Sequence, residues 1–377
     1  MGSVIVCAPN YVQSTYYPPV FGGGGWGSAN YLSYLADKYF IRKAISVDAT
    51  TTKTRFDVDF QVGRDIKFIG IPNSNIEREG KIRVLGSNVA AWSGATVNGA
   101  HSIGATVLSI AASGAVTIAA GECFTLAGDT KVYNVTIGTS IAAGGTGAIT
   151  IERADGTGTG LVVSMLGGEA ITCRSGNFTS PVIDTTLLDY FPEIYGDELP
   201  WGAAGVWDGK ESPEVIATLQ LPNQWQYIVP TLTIARYLRV LIEDTTNSNG
   251  YITLDGLYVT SGYVPTYNME YGVQVGFITN TSSESSAGGV EVFKREKSQR
   301  FIEFNLSDIP VQEAFINLFD IQRQLDLDGD AWIVFDEEDT KLMNRRSFPC
   351  RLEALNPIST IFFDGTSVTL RWKEKIA

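Results

Sequence analysis

Ala235-Arg236-Tyr237-Leu238-Arg239-Val240-Leu241-Ile242, followed after a turn-rich stretch at 244–250 by Tyr251-Ile252-Thr253-Leu254-Asp255-Gly256-Leu257-Tyr258-Val259, is the passage that decides the fold. Both runs are rich in aromatic, β-branched and aliphatic residues, which suit a half-buried pleated surface. The Asn, Asp, Ser and Gly residues between them supply a turn. Two strands joined this way are antiparallel, and antiparallel strands on short loops imply a sandwich. The same rhythm recurs upstream. Phe56, Val58, Phe60 and Val62 alternate with polar neighbours, and strand-like runs follow at 66–71 and 81–85, separated by the turn Pro72-Asn73-Ser74-Asn75.

The whole composition agrees with a mainly β chain. Of 377 residues, 39 are Gly and only 4 are Met, and 44% are apolar, enough for substantial cores. The length predicts two or three domains. With 41 Asp and Glu against 28 Lys and Arg, the net charge is −13, which argues against nucleic acid as a partner, because phosphate contacts need clustered cations. Cys7, Cys123, Cys173 and Cys350 are widely spaced, with no CxxC and a single His, so reduced, buried thiols are expected rather than a zinc site or a disulfide framework. No apolar run approaches the ~18 residues of a membrane span, and the N-terminus lacks the basic and apolar regions of a signal peptide. Synthesis in the cytoplasm is expected.

Outward from the sandwich, the text changes twice. Residues 97–168 carry few charges (Glu122, Asp129, Lys131, Glu152, Arg153 and Asp155) and are dominated by Gly, Ala, Thr and Ser, with short strand-like runs separated by glycines. They read as a small β-module inserted into a host sandwich that spans 54–96 and 169–264, the host resuming at Ala170. Residues 1–53, with Tyr11, Tyr16, Tyr17, Phe21 and the run Gly22-Gly23-Gly24-Gly25, read as an extended arm with a short helix at 28–39, ordered by packing on a partner in an assembly.

Residues 265–377 form a third unit. Ile302, Phe304 and Leu306 mark a strand. Ser307 or Asp308 would cap a helix with Pro310 in its first turn, ending near Leu325. Phe315, Leu318 and Phe319 would then cover a sheet carrying Trp332 and Val334. Further strands are expected at 346–355 and 367–372, giving a β-sheet or split barrel with one helix.

Three resemblances attach to these passages. Residues 235–240 with 251–259, and Ser175-Gly176-Asn177-Phe178-Thr179-Ser180-Pro181-Val182, resemble strands of discoidin-like, galactose-binding-like sandwiches. No matching sugar-binding set accompanies them, so the resemblance implies the fold and not the ligand. Gly121-Glu122-Cys123-Phe124-Thr125-Leu126-Ala127-Gly128-Asp129, with Tyr133-Asn134-Val135-Thr136 and Thr150-Ile151-Glu152, resembles a small β-module inserted in many bacteriophage virion proteins. The C-terminal unit, with its 302–306 strand, helix, Trp332-Ile333-Val334-Phe335-Asp336 strand, Arg345-Arg346-Ser347-Phe348 turn and closing strand at 369–372, resembles distal tail and tail-tip proteins of long-tailed phages. Such units assemble edge to edge into rings.

No residue set points to catalysis. His101, the single histidine, stands in a Gly/Ser-rich stretch, where an exposed loop residue is expected rather than the base of a Ser-His-Asp or Cys-His site. Asp326, Asp328 and Asp330 alternate as in a calcium loop, but Ala331 takes the required Gly position and a strand replaces the second helix, so an acidic turn is expected. The run 336–339 reads as a solvated hairpin tip, with Arg345 and Arg346 as possible counter-charges in the chain or in a neighbour. Trp201, Trp207, Trp225 and Tyr227, with Tyr190 and Tyr195, are candidates for glycan or partner contact, core packing being the alternative.

The expectation is therefore a non-enzymatic structural virion protein of a phage tail, made in the host cytoplasm, without cofactor or metal. It would form a hexameric or trimeric ring between the tail tube and the hub or tip proteins. The alternative is a tail module that recognises a host surface glycan.

Overall fold

The computed structural model describes residues 2–27, 31–191, 223–285, 289–339 and 342–376. The chain is mainly β, with 46% strand and 9% helix, and combines β-sandwich layers with a closed six-stranded barrel. No helix among the described residues is long and apolar enough to cross a membrane.

The passage around Arg236 lies at the centre of the first sheet. Strand Trp225–Glu243 pairs antiparallel with Phe56–Ile71 on one side and Lys81–Ser87 on the other. Tyr258–Thr260 and Ile183–Asp184 flank them. Alternation then sorts the side chains. Phe56, Val58 and Phe60 join Leu238, Val240 and Ile242 in the largest core, roofed by Val12, Leu32, Leu35, Ile252, Leu254 and Leu257. Their neighbours Asp57, Asp59 and Arg239 necessarily point to the opposite face.

That opposite face is divided between two other units. Its charged end lies under the barrel, whose staves are, in order, Val132–Ile137, Thr146–Arg153, Val107–Ala112, Ala95–Val97, Ala170–Cys173 and Cys123–Leu126. The barrel is wider than the charge-poor block. Ala95–Val97 and Ala170–Cys173, which the sequence assigns largely to the sandwich, are staves that pair with Val107–Ala112 and Cys123–Leu126. Charge density marks the solvent face, whereas Ile171 and Cys173 belong to the barrel by pointing into its core.

The apolar end of the same face meets the C-terminal sheet, ordered Ile5–Cys7, Ala331–Val334, Phe348–Leu352, Gly365–Glu374, Gln299–Pro310 and Gln274–Ile278. Trp332 and Val334 pack on Phe40, Phe68 and Tyr258 across this joint. The helix at 311–325 covers the other side, packing on Ile302, Phe304, Leu306 and Ile333. The helix thus covers the sheet that carries Trp332 and Val334, from the face opposite those two side chains, and what is corrected is which helical residues do the covering. The buried helical residues are Ala314, Leu318, Ile321 and Leu325, while Phe315 and Phe319 are 49% and 48% exposed. The six residues Ala314–Phe319 wind as a π-helix, so spacing counted on 3.6 residues per turn misplaces its faces. The cap expectation fails as well. The strand continues through Ser307 and Asp308 to Pro310, with a bulge between Leu306 and Ile309 and a positive φ of 59° at Asp308.

The N-terminal segment finds its partners within the chain. Ile5–Cys7 is the edge strand beside Ala331–Val334, and Val20–Gly22 pairs with Asp57–Asp59 of the central sheet. The glycine run has a steric cause. At Gly24 a Cβ would lie 2.0 Å from the Arg55 carbonyl oxygen, and at Gly22 it would lie 2.6 Å from Cys123. The helix expected at 28–39 reduces, within the described residues, to a single 3-10 turn at Leu32–Ala36.

Candidate assembly surface

Two strands of the C-terminal sheet, one at its end and one branching from Gly365–Glu374, have outer edges that carry no partner among the described residues. Gln274–Ile278 pairs only with the strand Gln299–Pro310, and Ser359–Phe362 only with Gly365–Glu374. Soluble proteins protect such edges with charges, proline or a covering element. Neither Gln274-Val275-Gly276-Phe277-Ile278 nor Ser359-Thr360-Ile361-Phe362 contains a charge or a proline. Phe277 is 73% exposed, and Phe363, at the tip beyond the second strand, is 101% exposed.

A separate two-stranded ribbon, Ser282–Ser285 with Glu291–Lys294, follows the first edge strand in the chain. Successive residues Val292 and Phe293 point to opposite faces, and both are exposed, so the ribbon has no buried side. An isolated ribbon of this kind is marginal in water and gains order by packing on something else.

The aromatic candidates fare differently. Trp225 is 3% exposed and belongs to the main core, so it is corrected from a contact residue to a packing residue. Tyr227 is half-buried and stacks on Trp225 with ring centroids 6.3 Å apart. Tyr190 is buried, and its hydroxyl donates to the Asn223 carbonyl at 2.9 Å. Trp201, Trp207 and Tyr195 lie outside the described residues. The sequence reading passed over Phe277, Phe293, Phe362 and Phe363. The available signal was strand-forming text without the charges that normally guard an edge.

The charged candidates are engaged in structural pairs. Asp328 is paired with Lys38, and Asp330 with Lys375, while Gln13 Nε2 donates to Asp330 Oδ2 at 2.7 Å. Burial pushes the Asp330 carboxyl up and the Lys375 ammonium down. Asp339 meets Arg346 at 3.5 Å, and Asp336 accepts the Gly2 amide at 2.8 Å, so this acidic run is held largely within the chain. His101 Nε2 accepts the Ser109 amide at 3.3 Å. All four cysteines are free and buried.

The barrel is seated by an ionic seam. Arg239 grips Asp57 with two bonds of 2.6 and 2.7 Å, and Arg236 grips Asp59 at 2.9 and 3.2 Å. Arg174, just past the barrel stave Ala170–Cys173, donates to Asp59 at 3.1 Å. Gly23 donates its amide to Asn134 Oδ1 at 2.7 Å, tying the N-terminal segment to the barrel. A cleft of about 420 Å³ opens between Tyr31, Leu32 and the barrel residues Lys131 and Asp155. A second, of about 390 Å³, shares Val20, Thr130 and Val132 with it. Lys131 and Asp155 are bonded to each other at 2.6 Å, so the cleft's charged groups are already satisfied.

No family model matches the chain, and no curated protein and no solved structure is significantly similar to it.

Proposed function

We propose that this chain is a structural virion protein of a long-tailed phage, a ring subunit of the distal tail or tail tip that joins the tail tube to the hub or tip proteins. Its role is assembly and not catalysis. The observation that carries the reading is the pair of unguarded edges on the C-terminal sheet. Strands 359–362, 365–374, 299–310 and 274–278 alternate in direction, so the branch strand 359–362 and the end strand 274–278 run oppositely. A second copy in the same orientation would therefore present its 359–362 strand antiparallel to the first copy's 274–278 strand. The two edges differ, and a contact between unlike surfaces is heterologous, the kind that closes into a ring when the rotation permits. The edges also sit at opposite ends of strand Gln299–Pro310, a stagger compatible with the tilted strands of a closed barrel. The sequence resemblances supply the virion setting. The glycan-recognition alternative has lost Trp225 to the core.

Electron-microscopy class averages of the purified chain test the proposal. Rings of six-fold or three-fold symmetry are expected, as is labelling of the tail in virions by an antibody against the chain. A monodisperse monomer at high concentration, absent from virions, would overturn it.

A further inference from the structure

We propose that the second of the two clefts, on the outside of the barrel, binds a small acidic molecule that presents a carboxylate or a phosphate to Arg174. The site is built by alternation. Ile171 and Cys173 point into the barrel core, so Thr172 points outward from the same stave. The Arg174 amide donates to the Cys123 carbonyl at 2.8 Å, so the ladder continues past the stave and Arg174 shares the outer face with Thr172. Thr172 lies opposite Thr125, and Thr125 opposite Val132, forming a row across three neighbouring staves. Together with Val20 of the N-terminal segment, these residues line a cleft of about 390 Å³. That volume lies within the range of small-molecule sites, which starts at ~300 Å³.

Arg174 is fixed in place without being used up. Its Nε donates to Thr125 Oγ1 at 3.1 Å, and its Nη1 donates to Asp59 Oδ2 at 3.1 Å. Its Nη2 has no partner among the described residues, and the side chain keeps 20% exposure. Asp59 has no capacity left for it. The same carboxylate accepts two bonds from Arg236, at 2.9 and 3.2 Å, and the Gln61 amide at 2.7 Å. A carboxylate offers about four lone-pair sites, and these donors fill them. Two guanidiniums on one buried carboxylate leave a positive charge in excess.

The unspent groups decide the ligand. Thr172 is exposed, and its hydroxyl has no partner among the described residues. The Thr125 oxygen accepts from Arg174, which leaves its own hydrogen to donate. Asp129 is the carboxylate in this lining, and both of its oxygens are taken. Oδ1 accepts the Lys131 amide at 2.9 Å, and Oδ2 accepts the Tyr133 hydroxyl at 2.6 Å. What remains is a set of donors beside an excess positive charge. A guanidinium matches a carboxylate or a phosphate through charge-assisted bonds, and a neutral ligand would leave its charge uncompensated. The site belongs to the single folded chain and is independent of ring assembly.

Calorimetric titration of the full chain with glucuronate, inorganic phosphate and neutral glucose, at constant ionic strength, tests this. Binding of glucuronate or phosphate is expected, and none of glucose. The tighter of the two anions tells whether the source is a sugar acid or free phosphate. Arg174→Gln should weaken binding by about tenfold or more. Thr172→Asp sets a carboxylate beside Arg174 and should abolish binding. Because Thr172 is exposed, this variant keeps the fold, which circular dichroism verifies, and it carries the test should Arg174→Gln disturb the ionic seam. A wild-type chain that binds neither anion overturns the proposal, as does glucose binding as tightly as glucuronate. Anion binding that Thr172→Asp leaves unchanged would mean an adventitious ion only, and would overturn it too.

Discussion

The Trp332 indole donates to Gln226 Oε1 at 2.9 Å, bridging the C-terminal sheet and the central sheet at the middle of their joint. The ring packs at the same time on Phe68 and Tyr258, at centroid distances of 5.3 and 5.4 Å. One fully buried side chain thus supplies both the apolar filling and the polar registration of the two layers.

Trp332→Ala should therefore cost ~3–5 kcal/mol, a large part of a domain's ~5–15 kcal/mol. Trp332→Phe should cost less, retaining most of the packing but leaving Gln226 Oε1 without its donor. Urea denaturation with separate probes for the two sheets checks this. A Trp332→Ala chain as stable as wild type would mean that the joint is held elsewhere.

The Asp57–Arg239 pair should respond asymmetrically. Removing one partner, as in Arg239→Ala, strands a buried carboxylate and should cost ~3–5 kcal/mol, whereas replacing both by apolar residues of similar size should cost far less. For the same reason, excising 97–168 should destabilise the remainder, although sequence alone predicts a removable module. The cut removes four of six staves and uncovers Asp57 and Asp59. The denaturation midpoint of each variant is the measurement, and a wild-type midpoint after excision would refute the seam's role.

The helix should show its faces by substitution. Leu318→Ala, at a buried position, should cost ~2–5 kcal/mol. Phe315→Ala should change the stability of the isolated copy by less than about 1 kcal/mol. Equal losses at the two positions would place Phe315 in the core after all.

Acid should weaken the contact between the start of the helix and the segment 263–266. Burial pushes the Glu313 carboxyl up, but the hydrogen bonds from Thr266 and Tyr263 outweigh it and leave the group below its ordinary value of 4.5. A carboxyl lowered by folding stabilises the protein above its unfolded pKa, and that stability is lost as pH falls through the folded one. Glu313→Gln should therefore lower Tm at neutral pH and flatten the fall in Tm below about pH 4.5. Parallel Tm–pH curves for the two proteins would contradict this.

Much of the fold is legible in the residues because alternation is a local property. The strands around Phe56 and Arg236, the helix ending at Leu325 and the buried strand at Trp332 follow from apolar spacing over a few residues. A six-stranded closure does not. Whether Ala170–Cys173 belongs to the sandwich or the barrel depends on which distant edge is free to pair with it. The N-terminal segment is the same case, since its partners lie more than 300 residues away at Ala331–Val334 and about 35 away at Asp57–Asp59.

The candidate surface divides along the same line. By itself the sequence determined a mainly β chain with an acidic balance, buried thiols and a C-terminal strand–helix–strand unit, because composition and short-range periodicity encode burial directly. Only the tertiary structure decided that Trp225 is core, that Trp332 faces the central sheet and not the helix, and that Phe277, Phe315, Phe319 and Phe363 are left in solvent. A phenylalanine in a strand or helix carries no mark of whether its own chain covers it. That depends on how many layers the fold stacks over each face, a quantity set by contacts between segments far apart in sequence.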